Sequence, residues 1–162
     1  MRLLKTIRLD QSDERVFSCA AQPGEWAVSG AFTFADDDPA ILAGKDRQAF
    51  AHGFLGTTSF GWSTFAAVAE IGFVDYENVV EALAQHLLSR FGAPDMATAH
   101  TAAREETEFA ANLCSHPINT LIAVERSWGP QGIVERFRAV EMPRAVPHAT
   151  IWKIEGEGVD DD

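Results

Sequence analysis

Two helical stretches follow one another with no strand between them, which is incompatible with the one-for-one alternation of a doubly wound parallel sheet. In the first, Tyr76 to Phe91, apolar residues recur at Val79, Leu83, Leu87 and Phe91, and Val80 and Leu88 widen the stripe. Asp75 reads as its N-cap and Gly92 as its terminating glycine. Pro94 and Asp95 open the second, which runs to about Ser115 and stops before Pro117. It is alanine-rich. Met96, Ala99, Ala103, Ala110 and Cys114 face one way, with Phe109 and Leu113 beside them, so a neighbouring helix can approach closely.

Strand patterns lie on both sides of this pair. Arg2 to Leu9 alternates loosely. Val16 to Ala21 is short and apolar, and fits a strand or a helical turn. Glu25 to Phe34 places Trp26, Val28, Phe32 and Phe34 on one face and small residues on the other, with Gly30 interrupting the large face. Asp38 and Pro39 read as a helix start, and Lys45 to Phe54 as a helix ended by Gly56. Trp62 to Ile71 is apolar on both faces, as a covered central strand is. Asn119 to Arg126 and Ile133 to Val140 form a hairpin across Trp128 to Gly132, and Ala149 to Ile154 reads as a last strand. The expected fold is α+β: a mostly antiparallel sheet of five to six strands, with the two long helices packed on one face. Residues 1–155 are expected to form one domain, and 156–162 to be an acidic disordered tail.

Acidic residues outnumber basic ones by 24 to 13, a formal net charge of -11. Such a chain repels phosphate backbones and anionic lipid, so neither nucleic acid nor a membrane is an expected partner. No apolar run is long enough to span a bilayer, no signal peptide is recognisable, and the two cysteines make no disulfide framework. The expected location is the cytoplasm, with both thiols free.

No phosphate loop, nucleophile elbow or paired Cys-x-x-Cys occurs, so no cofactor, metal or catalytic set is assigned, and whether the chain is an enzyme stays open. The five histidines show no metal-binding i, i+4 pair. Cys114 stands near His116 but lies on the apolar side of its helix, as a small buried hydrophobe would. Glu106 falls on the apolar arc between Ala110 and Leu113, where a carboxylate needs a partner or a shifted pKa; Glu70 and Arg90 are the candidates to meet it. Trp26 and Trp62, among Phe32, Phe34, Phe60 and Phe65 and several glycines, make a core or a contact surface. Trp128, at a hairpin tip, is a candidate contact anchor.

The words Thr6-Ile7-Arg8-Leu9-Asp10, Pro23 to Phe32, Gly53-Phe54-Leu55-Gly56, Ser59 to Thr64, Arg90 to Asp95, Glu105 to Cys114 and His116-Pro117 carry a resemblance. The chain resembles a bacterial, mainly proteobacterial, family catalogued as a domain of unknown function, over residues 6 to about 138. The resemblance implies a free-standing single-domain protein and brings no catalytic residues. Two functions follow from the residues. The first is a small accessory or protein-binding protein without catalytic activity, joined to a partner or to a second copy through the tryptophans. The alternative is a small-molecule sensor or enzyme with a pocket between sheet and helices, lined by Glu106, Glu70 and Cys114.

Overall fold

The computed structural model describes residues 1–140. Seven strands form one antiparallel sheet: β1 (Arg2–Ile7), β2 (Trp26–Val28), β3 (Phe54–Gly56), β4 (Trp62–Ser63), β5 (Phe65–Glu70), β6 (Leu121–Gly129) and β7 (Gly132–Val140). Their order is β4-β3-β2-β1-β5-β6-β7. Four helices accompany them: α1 (Ser12–Val16), α2 (Gly44–His52), α3 (Phe73–Arg90) and α4 (Met96–Asn112). The sheet therefore has more strands than expected. The strand read at Ala149 to Ile154 and the tail lie outside the described residues.

β4 and β5 are consecutive in sequence, yet β4 pairs with β3 at one edge and β5 with β1 in the middle. The first five strands thus curl back on themselves. What was read as one strand, Trp62 to Ile71, breaks at Thr64 because Asp13 competes for its polar groups. The buried Asp13 carboxylate accepts Thr64 Oγ1 at 2.7 Å and, weakly, its amide at 3.4 Å. Ser63 Oγ donates to the Ile7 and Phe65 carbonyls and ties the bend to β1.

The strand expected over Glu25 to Phe34 is only three residues long. Gly30 adopts φ +82°, and Ala31–Phe34 form a 3-10 turn. A Cβ at Gly30 would stand 2.6 Å from Leu55 Cβ and 2.9 Å from the Trp62 ring. Only glycine fits both that left-handed backbone and that approach. The turn carries Phe34 inward onto Trp62, ring centroids 5.3 Å apart.

Directly opposed residues share a sheet face, so Leu4, Ala27, Val68, Ala66 and Ile122 line one side, and all are buried. α4 packs over β1 and β2 and against α3, while α2 packs against β6. The alanine face of α4 is borne out: Ala99, Ala103 and Ala110 are buried, and Cys114 is buried just beyond the helix. Asp95 caps α4 by accepting the Thr98 amide at 2.8 Å. α3 starts earlier than expected, with Gly72 rather than Asp75 at its N-cap. Asp38 and Pro39 form only a turn, and α2 ends at His52, releasing Phe54 into β3.

Candidate functional site

The β3–β4 connection, residues 57–61, is held by an acid that sequence reasoning passed over. Glu25 is 7% exposed. Its carboxylate accepts the amides of Gln22, Thr58 and Ser59 at 2.7, 3.0 and 2.8 Å, and the Ser59 hydroxyl at 2.6 Å. Burial pushes its pKa up, but these four bonds outweigh burial and hold it below the usual value. The next strand is tied in as well. Gly61 N donates to Ser59 Oγ, and Trp62 N donates to the Cys19 carbonyl.

Phe60, the residue after this clamp, has φ +55°. A bulky side chain in the left-handed region carries strain on the order of 1–3 kcal/mol and persists only where its surroundings over-determine it. Here the Glu25 clamp and the Trp62 pairing supply that constraint. The strained backbone aims the Phe60 ring flat against His86 of α3, with centroids 3.7 Å apart and planes within 4°. Burial, and then Arg90 one turn on, lower the His86 pKa, so the stacked imidazole is neutral at pH 7.

The stack forms the floor of a groove between the turn and the solvent side of α3. A cleft of about 550 Å³ is lined by Cys19, Ser59, Phe60, Ala82, His86 and Arg90, among others. A second cleft of about 350 Å³ shares Phe60 and Ala82 and continues past Trp26, Thr57, Asp75 and Asn78. From α3 the groove takes Asp75, Asn78, Ala82, Gln85, His86, Ser89 and Arg90, one face of the helix, with the buried Val79 at its edge; the apolar stripe Tyr76, Val80, Leu83, Ala84 and Leu87 is buried on the other side. Ala82 supplies the low point where the two clefts join.

The residues singled out from sequence do not come together in one place. Trp26 lines the groove, with Lys5 Nζ 4.5 Å above its ring. Trp62 is 9% exposed and packs against Phe34, so it belongs to the core rather than to a contact surface. Trp128 is not an exposed hairpin anchor. It is half-buried and stacks on Phe50 of α2 with centroids 4.6 Å apart. Cys114 is buried beneath α4, and burial pushes its thiol up to about 11, which keeps it protonated and unreactive at neutral pH. Glu70 is exposed opposite Arg2 in the β1–β5 ladder, and Arg90 lines the groove, so neither meets Glu106.

Glu106 faces a different partner set. It is half-buried on α4, and burial, then Glu135 and Glu105, raise its pKa against the pull of Arg126. Arg126 itself has a fully buried side chain. Its Nε donates to Glu135 at 2.8 Å, and its Nη1 donates to the Phe50 and Gly53 carbonyls at 2.9 and 2.8 Å. Ser29 joins both Arg126 and Glu135. Arg126 thereby satisfies the open carbonyls at the end of α2 and fastens α2 to β6. A signal for this pair exists in the sequence: Val124-Glu125-Arg126 and Val134-Glu135-Arg136 pair antiparallel, so each Glu opposes an Arg.

A family model matches residues 1–153. The chain belongs to DUF6505, a family of unknown function. No curated protein and no solved structure matches the DUF6505 chain. Among its described residues, no group of three or more His, Cys, Asp or Glu is placed to hold a metal, and no helix is long and apolar enough to cross a membrane.

Proposed function

We propose that this DUF6505 protein is a binding protein without chemistry of its own, and that the groove between α3 and residues 57–61 receives an extended segment of a partner protein. The observation that carries the reading is Phe60. Its ring is held on His86 by a strained backbone at the junction of two surface clefts, and strain of this kind concentrates where a fold presents a contact group. The groove's shape favours a chain segment over a small molecule. Small-molecule sites enclose most of their ligand, whereas Asp75, Gln85, Ser89 and Arg90 along this groove are exposed. From Asp75 to Arg90 the helix advances about 22 Å, the length of about seven extended residues.

The test is a selection of random decapeptides, displayed with free C-termini, on the folded protein. The expected result is a consensus whose synthetic form binds with micromolar affinity. Ala82→Trp fills the junction and should weaken that binding at least tenfold, with the melting temperature within a few degrees of the parent. No consensus, or one that binds Ala82→Trp equally well, contradicts the reading.

A further inference from the structure

Resting on that reading, we infer that the Arg90 end of the groove recognises the C-terminal carboxylate of the bound peptide. The protein is strongly acidic, yet the residues lining the larger cleft include no acid, and Arg90 is their one full charge. Among the described residues, neither the Arg90 guanidinium nor the His86 imidazole has a hydrogen-bonding partner. A guanidinium beside a ring N–H one helical turn away matches the two oxygens of a carboxylate. The C-terminal end of the α3 dipole, a partial negative charge, disfavours an anion, and the full positive charge of Arg90 in its last turn outweighs it.

A terminal carboxylate fits better than an acidic side chain because the groove stops at this end. Phe91 packs edge-on against Phe32 at 5.2 Å and stands 5.3 Å from His86, so a chain running along α3 past Arg90 meets aromatic edges. The opposite end carries Asp75, the acid of the smaller cleft. A peptide lying with its carboxylate at Arg90 keeps that negative charge away from Asp75, which favours one direction along the groove.

The experiment compares the selected consensus peptide as the free acid, as the C-terminal amide and with two residues added after its natural end. The free acid should bind at least tenfold more tightly than either modified form. Arg90→Gln should weaken the free acid about tenfold and leave the amide nearly unchanged, erasing the difference. Equal affinities for acid and amide overturn the inference, as does dependence on an internal Asp or Glu with indifference to the terminus; in both cases the groove reading survives. Failure of all three forms to bind the parent protein overturns the groove reading and this inference with it.

Discussion

Arg126→Met should lower the stability of this protein by about 3–5 kcal/mol, because it strands a carboxylate and several carbonyls in a dry interior at once. The Arg126 side chain is fully buried, and it is the shared donor for Glu135, Ser29 and the last turn of α2. Methionine fills most of the same volume, so little of the loss would come from a cavity. For a chain of this size the melting temperature should fall by on the order of 10 °C. Replacing both partners separates the causes. Arg126→Met with Glu135→Leu removes the stranded charge and should recover part of the loss, since an apolar pair is often as stable as a buried ion pair. The carbonyls of Phe50 and Gly53 remain without their donor, so recovery should be incomplete. A single-variant loss below about 1 kcal/mol would mean that Arg126 does not fasten α2 to the sheet.

Glu25→Gln carries the second large effect, and it reaches the groove. The amide keeps one acceptor oxygen but turns an NH2 toward donors that the carboxylate satisfied, at about 2–4 kcal/mol. The pH dependence has a defined sign. The folded-state pKa of Glu25 lies below its ordinary value of 4.5, so its contribution is fully present above that value and is lost as pH falls through the folded pKa. The stability gap between parent and Glu25→Gln should therefore be constant from pH 8 to 6 and shrink below about pH 4.5. Because the same carboxylate holds Thr58 and Ser59, the variant should also release Phe60 from its left-handed backbone. Peptide affinity should then fall at temperatures where the variant is still folded. A gap that persists unchanged in acid would contradict the assignment of the loss to the Glu25 charge.

The contrast between the buried acids Asp13 and Glu25 and the helices shows what the sequence makes legible. α3 and α4 are visible because their signals are local: an apolar repeat, an Asp cap at Asp95, alanines every few residues. The β6–β7 hairpin is visible for the same reason. The end of β2 is not. The period-two pattern runs on through Phe32 and Phe34, and what stops the strand is the approach of Trp62, more than thirty residues away, to Gly30. Asp13 and Glu25 look like surface charges in turn-rich segments. Their burial depends on donors from residues 58–64, which local patterning cannot place beside them. Glu106 was found by its position on a helix wheel, but its neighbours, Glu135 and Arg126, come from the hairpin, not from Glu70 or Arg90. The groove was the least legible element. Its α3 face carries the polar residues that any solvated helix carries, and only the fold brings Phe60 onto His86.

The most direct test of the groove is a backbone amide chemical-shift map of the labelled protein, titrated with the selected peptide. Shifts should concentrate at residues 57–60 and along the Asp75, Asn78, Ala82, Gln85, His86 and Arg90 face of α3, with the β6–β7 hairpin unmoved. Shifts centred on that hairpin, or on the α4 surface around Glu106, would contradict the account and move the binding site elsewhere on the fold.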